Sequence, residues 1–119
     1  MEFIYSDLLK EYYNLKKLIL SHNHIKLIQT DVFKDLINLE DLYLNNNQLK
    51  HINTNFLYNM LNLKKLRLNK NQIELIDSVS FENLSNLIEL DLSDNKLEYI
   101  NGDLFSNLIN LERLYLANN

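Results

Sequence analysis

The sequence lacks the residues that usually form crosslinks and tight turns. It contains no cysteine and no proline, and its only glycine is Gly102. The absence of cysteine excludes disulfides, zinc–thiolate sites and cysteine nucleophiles from these 119 residues. A single glycine also excludes phosphate-binding loops of the G-x-G-x-x-G or Walker type. Because asparagine tolerates the left-handed backbone region, we expect the abundant asparagines to make the turns.

Charge and hydropathy exclude further classes of protein. The net charge of −4 argues against a binder of nucleic acid or of anionic membranes, which would carry excess basic residues. No apolar run is long enough to cross a bilayer, and residues 1–7 do not resemble a signal peptide. The motifs G-x-S-x-G and H-E-x-x-H are absent. The sequence therefore predicts neither an enzyme nor a cofactor.

An internal repeat of 24 residues dominates the chain. One leucine marks the start of each repeat, at Leu15, Leu39, Leu63, Leu87 and Leu111. The motif L-x-L that follows is typical of a strand whose leucines face the core. An asparagine follows the strand, at Asn23, Asn47, Asn71, Asn95 and Asn119. A large apolar residue recurs in the second half, at Phe33, Leu57, Phe81 and Phe105.

This spacing predicts one repeat domain over residues 1–119. Four repeats are complete, at 15–38, 39–62, 63–86 and 87–110. Residues 1–14 align with the back half of a repeat, and residues 111–119 align with the front. We expect the sequence to be a fragment of a longer protein, since stacked repeats need capped ends. The alternative is that residues 6–13 form a makeshift amino-terminal cap.

The repeat pattern resembles the 24-residue "typical" class of leucine-rich repeats. The resemblance runs from Ile4 to Asn119. Leu57 stands where the family usually has phenylalanine, and the position often held by proline carries Gln29, Asn53, Asp77 and Asn101. The resemblance implies an α/β repeat solenoid, with a parallel β-sheet on the concave face and loops or short helical turns on the convex face. It also implies a ladder of buried turn asparagines, formed by Asn23, Asn47, Asn71 and Asn95.

The concave face offers two columns of outward side chains. The first alternates in charge, which predicts a self-compensating ladder of Lys17, Asp41, Lys65, Glu89 and Arg113. The second begins at Ile19 and supplies the candidate binding residues Tyr43, Arg67, Asp91 and Tyr115. Tyrosine and arginine are enriched in binding hot spots. Isolated exposed tyrosines are also common without any function, so both readings stay open.

Other polar residues predict little chemistry. His22, His24 and His51 have no third ligand at a metal-binding spacing, so we interpret them as solvated loop residues and predict no metal site. Asn83 begins the sequon Asn83-Leu84-Ser85 and is a candidate glycosylation site in the back half of its repeat. A sequon is expected by chance in a chain so rich in asparagine.

The resemblance points to extracellular proteins such as Toll-type receptors, Slit-like guidance proteins and small proteoglycans. It implies recognition of a protein ligand or co-receptor through the concave face, within a receptor or secreted protein. Two alternatives are structural spacer repeats within such an ectodomain and an intracellular leucine-rich-repeat scaffold. Fold alone does not choose among them.

Overall fold

The computed structural model describes residues 1–55 and 57–119 and shows a solenoid of short parallel strands. Its strands are β1 Phe3–Ile4, β2 Lys17–Ile19, β3 Leu27–Ile28, β4 Asp41–Tyr43, β5 His51–Ile52, β6 Lys65–Arg67, β7 Leu75–Ile76, β8 Glu89–Asp91 and β9 Arg113–Tyr115. The main sheet has the order β2-β4-β6-β8-β9, and two small sheets pair β1 with β3 and β5 with β7. The solenoid and its parallel concave sheet are therefore confirmed.

The main sheet pairs each residue with the residue 24 positions away. Leu42 lies between Leu18 and Leu66, and Leu90 lies between Leu66 and Leu114. The central leucines of β4, β6 and β8 are fully buried, as the L-x-L motif predicts. Those of β2 and β9 are only partly covered because each end strand has one neighbour instead of two.

The convex side consists of loops and turns, with no helix among residues 1–55 and 57–119. Backbone bonds close single turns there, such as Leu36 N–H to Phe33 O at 3.0 Å. Below these turns, Phe33, Leu57 and Phe81 are buried. The rings of Phe81 and Phe105 stack with centroids 6.4 Å apart. Across the part of the chain that the structure describes, no helix is long and apolar enough to cross a membrane.

The left-handed residues of the concave-side turns correct one expectation. A positive φ of 54–59° recurs directly before the turn asparagine, at His22, Asn46, Lys70, Asp94 and Asn118. Asparagine therefore fills this position in only two of five turns. The recurring geometry comes from the asparagine that follows, because its side-chain hydrogen bonds hold the turn even where the left-handed residue is Lys70.

Candidate binding face

The four candidate binding residues lie side by side across the concave sheet. The strand register pairs Tyr43 with Arg67, Arg67 with Asp91 and Asp91 with Tyr115. The side chain of Arg67 is 44% exposed and Tyr115 is 46% exposed, whereas Tyr43 and Asp91 are half-buried. One row of the sheet thus presents two aromatic rings and two opposite charges.

Tyr43 is the aromatic centre of this row. The Arg67 guanidinium lies 5.0 Å from the centre of the Tyr43 ring, and Lys17 Nζ lies 4.9 Å from it. Both distances suit cation–π attraction, which contributes about 0.5–1 kcal/mol at exposed sites. Two cations therefore flank the Tyr43 ring.

Glu89 anchors the other half of the face. Its residue is only 7% exposed, and its carboxylate accepts bonds from Arg67 Nε at 3.0 Å and Arg113 Nε at 3.2 Å. Burial raises the pKa of Glu89, but the hydrogen bonds from the two arginines together outweigh it and leave the pKa below its ordinary value. Glu89 therefore stays ionised as the acceptor between two cations.

These contacts form a continuous chain across all five strands of the sheet. We call it the concave belt, and its members are Lys17, Tyr43, Arg67, Glu89 and Arg113. The belt draws residues from both outward columns, because it passes from Lys17 to Tyr43 and Arg67 in the second column and returns to the first at Glu89. Asp91 lies beside it, and its Oδ1 accepts bonds from the Ser93 amide at 3.0 Å and the Ser93 hydroxyl at 2.6 Å.

The charge ladder expected in the first column is mostly absent. Among the described residues, Asp41 forms no ion pair with Lys17 or Lys65, and only Glu89 and Arg113 pair within that column. Lys17 turns to the Tyr43 ring instead. The expectation was wrong because side-chain length and direction, as well as strand order, decide which charged ends meet.

A charge ladder of three residues lies one position earlier, directly before the strands, and ends where Ile88 interrupts the column. Glu40 accepts bonds from Lys16 Nζ at 2.8 Å and Lys64 Nζ at 2.7 Å. The bond from Lys16, followed by that from Lys64, lowers the pKa of Glu40 to about 2. The same 24-residue column analysis, moved by one position, would have found this set.

The turn asparagines bridge adjacent coils. Asn71 Nδ2 donates to Leu44 O at 3.0 Å and Leu68 O at 2.9 Å, and its Oδ1 accepts the Leu49 amide at 3.0 Å. Asn47 and Asn95 make equivalent bonds with their own neighbouring coils. Asn23, in the first of these coils, donates to Leu20 O at 3.1 Å and Ser21 O at 3.2 Å.

A second asparagine ladder crosses the convex side and was missed by the sequence analysis. Its side-chain amides each donate to a backbone carbonyl of the preceding coil at 2.8–2.9 Å, from Asn38, Asn62, Asn86 and Asn110. Its signal is the Asn-Leu pair at the start of every repeat.

The histidines and the sequon occupy other surfaces. His22 and His24 are exposed loop residues, as expected. His51 is not in a loop: it lies in β5, and its Nε2 is 2.7 Å from Asp77 Oδ1. Within residues 1–55 and 57–119, no three histidine or acidic side chains are placed to hold a metal ion. Asn83 is half-buried on the convex side, and its Nδ2 donates to Tyr58 O at 3.1 Å. Glycosylation of Asn83 stays a prediction.

Comparison with known families agrees with this geometry. Residues 2–119 match a family model described as a BspA type leucine-rich repeat region with 6 copies. The chain belongs to the leucine-rich-repeat family. A sequence search of curated proteins gives no match at a significant level.

Solved structures with the same fold come from complexes between proteins. A chain of the Drosophila Toll–Spatzle complex in its glycosylated form shares 28% identity with a TM-score of 0.92, and it matches 98% of this leucine-rich-repeat chain. A second structure of that complex shares 29% identity with a TM-score of 0.89. A chain of the octameric complex of Latrophilin 3, Unc5D and the FLRT2 leucine-rich repeats shares 26% identity, with a TM-score of 0.63 over 95% of this chain.

The relatives are much longer than the matched region. This chain spans 17% of each Toll–Spatzle chain and 41% of the chain in the FLRT2 complex. The likeness therefore covers a short run of coils in proteins that are solved with protein partners.

Proposed function

We propose that this chain recognises a protein ligand or co-receptor through its concave face, as part of an extracellular receptor or secreted protein. The observation that carries the proposal is the row of Tyr43, Arg67, Asp91 and Tyr115, aligned across four adjacent strands. Its aromatic rings and arginine are partly exposed, and these residue types dominate binding energy at protein interfaces. The similar chains come from complexes of Toll with Spatzle and of FLRT2 with Latrophilin 3 and Unc5D.

The concave belt gives this face a prearranged geometry. Lys17 and Arg67 hold the Tyr43 ring, and Glu89 holds the Arg67 guanidinium. Side chains fixed before binding lose less conformational entropy on contact with a ligand. The outer donors of Arg67 still face solvent, since its side chain is 44% exposed. A ligand carbonyl or carboxylate is the matching acceptor.

The experiment combines crosslinking with affinity measurement. A photo-reactive residue replaces Tyr115 on the strand face and, in a separate variant, Tyr58 on the convex side, in cells that display the protein. We expect a specific protein adduct from position 115 only. For the protein so identified, Tyr43→Ala and Arg67→Ala should each weaken affinity by about 1–3 kcal/mol.

Matched controls lie on the exposed convex side at Tyr58 and Glu82. Tyr58→Ala and Glu82→Ala should leave the affinity unchanged. Thermal melting of each variant separates an effect on binding from an effect on folding. This check is needed for Arg67→Ala because the variant leaves the buried Glu89 with Arg113 as its remaining partner, which could lower stability. A partner that binds the two strand-face variants normally, or that depends on Tyr58, contradicts the proposal.

One observation favours a structural spacer as the second candidate. Glu89 forms ion pairs with both Arg67 and Arg113, so part of the charge and hydrogen-bonding capacity of each arginine is already used within the chain. Such pairing is expected for a sheet whose charges mainly neutralise one another. Normal affinity in all concave variants would support this function. The intracellular scaffold stays an alternative that localisation of the full-length protein would test.

A further inference from the structure

One lateral side of the solenoid carries an exposed apolar stripe. It consists of the outward residue of each small-sheet strand and the matching residue of the last full repeat. Four of these residues are apolar or aromatic, and the middle one is a histidine paired with Asp77; in order they are Phe3, Leu27, His51, Leu75 and Tyr99. Leu27 and Leu75 are each 57% exposed, and Tyr99 is 79% exposed. The alternation of β3 and β7 explains the outward direction, because Ile28 and Ile76 face the core. Apolar residues in phase on one surface are typical of an interaction site.

Two clefts interrupt this stripe where neighbouring coils are not joined by strand pairing. Lys26, Leu27, Lys50 and His51 border the first, which has a volume of about 190 Å³. Leu75 and Tyr99 border the second, with Glu74 and Glu98, and its volume is about 400 Å³. The most exposed ring of the stripe therefore lies at one end, and a cleft that can receive a ring lies near the other.

A column of charged residues beside the stripe indicates which kind of partner the stripe could bind. In four successive coils this column reads Lys26, Lys50, Glu74 and Glu98, all exposed. Of these four, within the described part of the chain, only Lys26 has an ion-pair partner, Glu2 at 3.2 Å. A sequence of two cations followed by two anions is complementary to itself when reversed.

We propose that this lateral stripe is the interface of a symmetric dimer of two copies of the chain. A twofold axis between the coils of His51 and Leu75 places Lys26 opposite the second copy's Glu98 and Lys50 opposite the second copy's Glu74. The same axis sets Tyr99 against Leu27 and its cleft. Such an interface uses the same patch on both copies, as twofold symmetry requires.

The column on the other side of the stripe is compatible with the same twofold arrangement. In it, Gln29 faces Asn101 of the second copy and Asn53 faces Asp77 of the second copy, so no like charges meet. From Phe3 to Tyr99 the stripe is about 19 Å long at ordinary strand spacing, which is less than a standard interface needs for stable association. We therefore expect weak dimerisation of the chain, with a Kd of roughly 0.1–1 mM.

Charge reversal provides the test. Lys26→Glu and Glu98→Lys should each weaken self-association by about tenfold, because every reversal occurs twice in a symmetric dimer. The double variant should restore the original Kd. Lys26 and Glu98 are three coils apart in one chain, so this rescue reports contact between copies. Tyr99→Ser should weaken the dimer without lowering the melting temperature, since the ring is 79% exposed.

Sedimentation equilibrium of the purified chain, from about 10 µM to 2 mM, covers the expected range. Glu82→Lys on the convex side is the control and should keep the original Kd. Circular dichroism melting checks that Lys26→Glu, which loses the contact with Glu2, remains folded. A monomer at every concentration, a double variant that fails to restore association, or an equal effect of Glu82→Lys would overturn the proposal.

Discussion

Replacing Asn71 by leucine should measure the energy of the asparagine ladder. The change removes three hydrogen bonds but does not affect the three backbone groups equally. Leu44 O and Leu68 O each keep a second donor, from Asn47 and Asn95 respectively. The Leu49 amide loses its partner, Asn71 Oδ1, inside the core. One stranded buried donor costs about 1–3 kcal/mol, so the free energy of unfolding should fall by that amount.

Urea denaturation followed by circular dichroism is the appropriate assay. The matched control is Asn69→Ala, two residues earlier, because its side chain points outward and makes no side-chain hydrogen bond with any described residue. We expect the control to change the unfolding free energy by less than about 0.5 kcal/mol. Equal urea midpoints for the two variants would refute the ladder as a stabilising element.

The cost of replacing a turn asparagine should depend on its position in the ladder. Asn23 bonds only carbonyls of its own coil, so Asn23→Leu strands no amide of a preceding coil within the described residues. Its cost should be smaller than that of Asn71→Leu. A larger loss at Asn23 would mean that local turn geometry, rather than the bridge between coils, carries the energy.

Three further predictions concern other contacts. Glu40 should titrate near pH 2 in an NMR experiment, and Lys64→Met should move the pKa of Glu40 toward 4.5. The contribution of the Glu40 ion pairs to stability is present above the unfolded pKa of 4.5 and is lost as the pH falls toward 2. An unshifted carboxyl resonance would contradict this ion pair. Lys70→Asn should raise the unfolding free energy by about 0.5–1 kcal/mol, since Lys70 has a φ of 56°, whereas Lys34→Asn should give no gain. Asn62→Ala on the exposed convex ladder should cost less than about 1 kcal/mol in the same assay, because water can replace its bond to the carbonyl.

The sequence by itself determined the register of the solenoid. Because side chains alternate along a strand, a 24-residue phase of leucines permits one inward face, and Leu42, Leu66 and Leu90 fill it. The same phase aligned Tyr43 with Arg67, so the candidate row could be named before the structure was known. These features follow from spacing alone.

Only the tertiary structure decided which polar groups meet. Residues 24 positions apart have adjacent Cα atoms, but the ends of long side chains extend several ångströms further and can contact any of several neighbours. Lys17 therefore contacts Tyr43 rather than Asp41, and Glu89 joins Arg67 from the next column. A three-residue charge ladder formed at Glu40, where both flanking lysines reach one carboxylate. Strand periodicity fixes the direction of a side chain, whereas the shape of the packed surface fixes its partner.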